Sequence, residues 1–320
     1  MTKDSIFVSI ACLSDTDVIA TVFSALRNAK YSDRIFFGVC LQAFEDDLMY
    51  SELDNISSVR LDRIPISKAR GPIYARSRCE KLIESEEYFF QIDCHTRFFP
   101  DWDEILIEEF CKINIDNSKS ILSHYPINIK NMNSDKHLEK IGHVNRYRHI
   151  GIDALKSHGS LITLPARPIE SLGIHAAMLF MHSSDRLRHR YDPELNFGLH
   201  AAEQVLYAIR LWTNGFDIFC PTRHTIATDY LVNRDRISIN VKRAYQDLVG
   251  NWPEITWSKV RFLLGLDSIE HVNNEYRDSI TQCISNYTFE EERSLLDYYK
   301  FASIHEKLKN IFPLYKFSSF

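Results

Sequence analysis

The stretch 88-YFFQIDCHTRFFPDW-102 decides how this chain is read. Its first half, Tyr88, Phe89, Phe90 and Ile92, is apolar, rich in aromatic and β-branched residues, and too short for a core helix. A buried strand is predicted, ending at Asp93. His95 follows two positions later, so a carboxylate and an imidazole leave one strand end together. Open α/β sheets bind ligands at their carboxyl edge, and these two residue types can share a divalent cation there. Taken alone, an Asp-Cys-His triplet is a weak motif, more often structural or capping than functional. Its surroundings have to decide.

Those surroundings alternate between strand and helix. Residues 6–12, IFVSIAC, form a first apolar run and 34–40 a second, and 59–64 reads as a third short strand, stopped by Pro65. Between the first two, Val18, Val22, Phe23 and Leu26 recur at helical spacing, which predicts an amphipathic helix over 17–29. This rhythm implies an α/β fold with a Rossmann-like, mostly parallel sheet flanked by helices. Gly71-Pro72 opens a further helix carrying Arg76, with Arg70 just before the turn. Both arginines are candidates for an anion near the helix start, against the plainer reading that they solvate the helix.

Downstream, the pattern predicts a helix over 102–115 with acidic residues in its first turn and a strand over 121–125. Residues 128–168 are irregular and read as long loops around a site mouth. A strand is expected within 171–182, one helix over 201–213, and a strand over 216–220. A polar segment carrying His224 and Asp229 follows. From Ser238 onward the chain reads as helical, with helices at 241–248, 257–264 and 290–311. The expected division is a catalytic domain over 1–236, with a nucleotide-sugar half to about 125 and an acceptor half beyond it, and a helical extension over 237–320.

Composition narrows the class. The 320 residues are 45% apolar and 25% charged, as in an ordinary globular protein large enough for a substantial core. A net charge of −5 provides no global field for nucleic acid. Seven cysteines without a CxxC pair argue for reduced thiols in a cytoplasmic setting and against a zinc cage. No run approaches the roughly 20 apolar residues of a membrane span, and the first residues lack the pattern of a signal peptide. The aromatic tail 312–320 is expected to pack on its own domain or to make a peripheral membrane contact.

Together, IFVSIACLSD, LRNAKYSDRIFFGVCLQ, ARGPIYARSRCEKL, YFFQIDCHTRFFPDWD, YDPELNF, EQVLYAIRLWTNGFDIFCP, SKVRFLLG and LDYYKFASI resemble, in order and across nearly the whole chain, a family of GlcNAc-transferases. That family includes cytoplasmic enzymes acting on hydroxyproline of a ubiquitin-ligase adaptor, and many bacterial members. The resemblance implies a GT-A fold, a UDP-sugar donor such as UDP-GlcNAc, a glycan or protein hydroxyl as acceptor, and manganese or magnesium. It implies a retaining outcome, with the leaving phosphate able to take the acceptor proton.

The resemblance also distributes roles. Asp93 and His95 match the family's Asp-Ser-His motif as metal ligands, with Cys94 in the serine's place. Trp102 and Asp103 match its Trp-Asp pair and are placed with the nucleotide-sugar residues. Arg76 and Arg70 are assigned to the diphosphate or nucleotide, and Asp15 to the base or ribose. The family's acidic pair falls on Glu203 and Gln204, which leaves Glu203 to touch the transferred sugar or the acceptor hydroxyl. A family histidine before Tyr230 is replaced by Thr228, so Asp229 is the expected third ligand, with His224 as the alternative. Two other classes compete: a catalytically silent nucleotide-sugar-binding or glycan-binding module, favoured by Gln204 and the missing histidine, and a metal-dependent hydrolase.

Overall fold

The computed structural model describes residues 2–45, 47–115, 118–150, 155–198, 201–230, 237–277, 287, 289 and 292–312. Its strands are β1 (Thr2–Leu13), β2 (Ile35–Ala43), β3 (Val59–Pro65), β4 (Glu86–Asp93), β5 (Thr96–Phe98), β6 (Ser120–Leu122), β7 (Ile127–Asn128), β8 (Lys140–Ile150), β9 (Leu155–Thr163), β10 (Ile169–Glu170), β11 (Met178–His182), β12 (Asp217–Cys220) and β13 (Ile226–Thr228). The main sheet has eight strands in the order β10-β12-β6-β11-β4-β1-β2-β3. β4, β1, β2 and β3 run parallel, and Ala11 pairs with Asp93 at the shared carboxyl end of β1 and β4.

β10 and β11 are the exceptions to the parallel rule: β11 runs antiparallel to both β4 and β6, and β10 antiparallel to β12. Only Met178–His182 of the run expected over 171–182 joins the sheet there. The helix Asp17–Asn28 covers one face, burying Val18, Val22 and Ala25. That face is filled by Tyr88, Phe90, Phe98, Trp102, Phe110 and Phe180. The other face shares a core with the C-terminal helices, because Phe7, Phe89 and Leu179 belong to one buried cluster with Trp257, Val260, Tyr298 and Leu308. Residues on both sides of position 236 therefore pack in one core.

The region expected to be loops over 128–168 instead contains a long antiparallel ribbon, β8 with β9. Its register shifts between Val144 and Arg146 and again between Tyr147 and His149. Each bulge inserts a residue and breaks the two-residue alternation by which a strand is recognised. In the C-terminal part, the helix expected from 257 starts earlier, spanning Trp252–Leu263, because Pro253 is tolerated in a first turn. The helix expected over 290–311 is two, Leu295–Phe301 and His305–Ile311, separated at Ser303, whose φ is 56°. Its first two residues, 290 and 291, and the tail 313–320 lie outside the described residues.

Among the described residues no helix is long and apolar enough to cross a membrane. Cys12, Cys40, Cys79, Cys94, Cys111 and Cys220 are free thiols; Cys283 lies outside the described residues.

The geometry demands a glycine at position 71. Gly71 has φ 91°, and a Cβ there would sit 2.7 Å from the Cα of Phe197. Gly71→Ala is therefore expected to cost at least about 1 kcal/mol from the left-handed backbone alone, seen as a lower melting temperature. An unchanged thermal transition would show that the loop carrying Phe197 moves aside at no cost.

Candidate active site

Asp93 ends β4, and the chain turns at once into β5, so Cys94 and His95 occupy the bend at the carboxyl edge. The turn is tied down locally. Thr96 Oγ1 donates to the Asp93 carbonyl (2.7 Å), and Thr21 Oγ1 donates to the Cys94 carbonyl (2.8 Å) and accepts from the Thr96 N–H (2.9 Å). The His95 backbone is thus held between β4 and the first helix.

Asp15, in the loop after β1, is buried and reaches His95: its Oδ2 lies 3.2 Å from Nδ1. The other ring nitrogen, Nε2, lies 3.9 Å from Asp93 Oδ2. Burial opposes a charge on His95, but its hydrogen bond to Asp15, followed by Cys94 and Asp93, outweighs it and pushes the imidazole up to about 11; an ion bound at Nε2 would have to displace that proton. Ligand atoms of Asp15, Cys94 and His95 lie within 4.8 Å of one another. Cys94 keeps its proton well above the usual thiol range, through its contact with Cys12 and its burial. With Asp93 alongside, the set is two carboxylates and an imidazole beside one thiol, and the oxygen and imidazole donors suit a hard or borderline divalent ion.

The spacing fits such an ion. Two donors bound to one cation at about 2.1 Å lie roughly 3–4.2 Å apart, and Asp93 Oδ2 and His95 Nε2 satisfy this at 3.9 Å. With Nδ1 directed at Asp15, Nε2 is left on the Asp93 side, the carboxylate–histidine arrangement that orients a metal-binding imidazole.

Arg76 lies beneath this edge on the helix Pro72–Cys79 and is buried. Its Nε donates to Glu203 Oε1 at 2.5 Å, Nη1 to the Ile92 carbonyl at 3.2 Å and Nη2 to Asp93 Oδ1 at 3.3 Å. One guanidinium thus joins two carboxylates that are 110 residues apart in the sequence. Glu203 stands in a π-helical turn, Ala201–Leu206, which continues as the α-helix Tyr207–Thr213. The single α-helix expected over 201–213 is corrected accordingly; such wide turns recur at functional sites.

The remaining predicted residues separate into groups. Asp229 is brought in by strand pairing: β13 lies antiparallel to β5 with Thr228 opposite Thr96, and the Asp229 N–H donates to the His95 carbonyl at 3.1 Å. His224 is at the other end of β13, its Nε2 2.8 Å from the Lys140 carbonyl and its ring against His124 and Phe99. Five extended residues span about 16 Å, so His224 is not brought to His95. Trp102 is fully buried, stacked against Phe90 and tilted against Phe98, with Nε1 donating to the Ala25 carbonyl. Asp103 is also buried, and accepts the backbone N–H groups of Lys30 and Tyr31 at 2.7 and 2.9 Å. Both belong to the core and its tethers, not to the cleft in which they were expected. Arg70 is exposed over the ring of Tyr74.

Several residues here have no sequence signature. Lys259 is fully buried and paired with Asp192 at 2.7 Å. The Glu80–Arg186 pair is buried between Phe89, Tyr191 and Tyr207. Lysine and arginine are almost never buried, so composition argued against finding them inside. The YDPELNF run marked only the loop on which Asp192 sits.

The large, mostly parallel sheet flanked by helices has the fold of GT-A glycosyltransferases. The structure of GalNAc-T7 with UDP, GalNAc and Mn2+ superimposes with a TM-score of 0.57 and 11% identity over 97% of this chain. The alignment spans 58% of the GalNAc-T7 chain. S. aureus TarS 1-349 gives a TM-score of 0.46 at 11% identity, over 95% of this chain and 91% of that one; its complex with UDP-GlcNAc gives 0.46 at 10%, over 95% and 92%. Among curated proteins, no relative matches the sequence. The family model described as Glycosyltransferase (GlcNAc) matches residues 50–307, and the chain belongs to that family.

Proposed function

We propose that the protein transfers GlcNAc from UDP-GlcNAc to a hydroxyl acceptor, with Asp93 and His95 holding one divalent ion, manganese or magnesium, and Asp229 completing its ligand set. The observation that carries this reading is the approach of Asp93 Oδ2 to His95 Nε2 at the sheet edge while Asp15 occupies Nδ1. When bound, such an ion neutralises the leaving diphosphate and is worth several kcal/mol in the transition state. Asp15 acts on this reading as the residue that orients His95, in place of the base or ribose contact the resemblance implied. Arg76 acts as a positioning residue that aligns Asp93 and Glu203, its guanidinium already committed to protein partners. Glu203 is the carboxylate assigned to the transferred sugar or the acceptor hydroxyl. No separate base on the opposite face is needed if the outcome is retaining, since the departing phosphate can accept the acceptor proton.

The test is manganese-dependent release of UDP from UDP-GlcNAc by the purified chain. Asp229→Ala is expected to raise the manganese concentration for half-maximal rate about tenfold, as loss of a metal-supporting group does, and Asp229→His to restore it. An unchanged manganese requirement in Asp229→Ala removes that residue from the ligand set. Absence of UDP release at any metal concentration sinks the transferase reading.

A further inference from the structure

A cleft of about 470 Å³ opens beyond the end of β3. Its floor is the segment that leads into the helix carrying Arg76, with Lys68 and Arg70 exposed in it. The opposite wall is Asn196 and Phe197, and the far side is Leu248 and Trp252 of the C-terminal helices. Among the described residues, two cations and no carboxylate line it.

The wall is built rather than incidental. Phe197 holds a left-handed backbone, φ 51°, which a bulky residue adopts only when its surroundings impose it. Its N–H donates to the Arg70 carbonyl at 2.7 Å, tying the wall to the floor. Thr256 Oγ1 donates to the Asn196 carbonyl at 2.5 Å, and the Asn196 N–H donates to the Tyr276 hydroxyl at 3.1 Å. The buried Lys259–Asp192 pair anchors the start of the same loop. Strain held by three sets of contacts is characteristic of a ligand-shaping loop.

The cleft also adjoins the chemistry. Phe197 packs edge-on against Tyr245, with ring centroids 5.4 Å apart. Burial, and then the neighbouring Glu203 carboxylate, push the Tyr245 phenol up to about 12. The link to Glu203 is also geometric: Gly198, next to Phe197, lies so close to Ala202 that a Cβ on it would sit 2.7 Å from the Ala202 Cβ.

We propose that this cleft is the acceptor subsite and that it takes an anionic glycan, with the acid group at Lys68 and Arg70 and a sugar ring face against Trp252. The two cations match carboxylate or phosphate, and an aromatic wall presents an apolar face to the C–H side of a sugar. An acidic peptide would use the cations but has no comparable use for the indole. The proposal rests on the transferase reading above and assigns the acceptor class that the reading leaves open.

The experiment is titration calorimetry on the full chain with three probes: a uronate-containing hexasaccharide, a phosphodiester-linked sugar hexamer, and neutral chitohexaose. Either anionic probe is expected to bind at least about tenfold tighter than the neutral one, and Lys68→Glu to abolish that preference, since one charge-assisted contact is worth about a factor of ten. The preferred anionic probe identifies carboxylate or phosphodiester as the source of charge. Trp252→Ala is expected to weaken all three probes together. Equal affinity for neutral and anionic probes, an unchanged preference in Lys68→Glu, tighter binding of a polyglutamate peptide, or a Lys68→Glu defect confined to UDP each overturns it. If UDP-GlcNAc binds and is turned over while any of these holds, the acceptor assignment fails and the transferase reading stands. If UDP-GlcNAc is neither bound nor turned over, the transferase reading fails first.

Discussion

Asp93→Ala is expected to lower UDP release from UDP-GlcNAc by about a thousandfold or more while the protein stays folded. The size follows from the several kcal/mol that a correctly held divalent ion contributes to a leaving phosphate, at 1.36 kcal/mol per factor of ten. The stability cost should be small, because the Asp93 side chain is 29% exposed and Arg76 keeps its closer partner Glu203. Asp93→Asn is the sharper variant. It retains shape and an oxygen that can accept from Arg76, but removes the charge that an ion requires. Metal-dependent UDP binding, followed by calorimetry with and without manganese, should fall in both variants. A folded Asp93→Asn protein with wild-type turnover and wild-type manganese dependence would show that the ion, if used at all, is held elsewhere.

The edge on which Asp93 stands was legible because its signal is local. Phe89, Phe90 and Ile92 are apolar on both faces of a short run, as a central strand requires, and the strand stops at Asp93 as expected. Strand direction is not local: β11 reads like any buried strand, and only its pairing with Leu122 and Ile92 shows that it runs the other way. The β8–β9 ribbon was lost because its bulges shift the side-chain period within one strand. The π-helical turn at Glu203 was lost for a similar reason, since a slightly wider turn leaves little trace in a segment buried on every side, its polar Glu203 and Gln204 included.

The site residues divide along the same line. Asp93 and His95 are neighbours in the chain, so their meeting could be anticipated. Asp229 stood ahead of His224 only through the alignment on Tyr230; the spatial reason, which end of β13 faces His95, is not written in the sequence. Trp102 and Asp103 matched a family motif, yet each is buried among partners that a motif does not encode, Ala25 for the indole and the Lys30 and Tyr31 amides for the carboxylate. A shared motif can serve the scaffold as readily as the site.

Arg76 gives the largest expected stability effect, and its effect on activity should be separable from it. The guanidinium is buried between Glu203 and Asp93, and Glu203 is itself 6% exposed. Removing one member of a buried pair leaves an uncompensated charge, which costs about 3–5 kcal/mol. Arg76→Met should therefore lower the melting temperature on the order of 10 °C. Replacing both members by apolar residues of similar volume removes the stranded charge, so Arg76→Met with Glu203→Met should recover most of the loss. Turnover should not recover, because Asp93 no longer has its Nη2 partner and the carboxylate at 203 is gone. Arg76→Lys is the discriminating single change. An ammonium cannot reproduce the three directed N–H contacts to Glu203, Ile92 and Asp93, so stability and turnover should fall together, with UDP affinity at saturating manganese changed little. Were Arg76→Lys instead to keep its melting temperature and lose UDP affinity alone, the guanidinium would be a diphosphate ligand, and its two carboxylate contacts would not be what holds the site together.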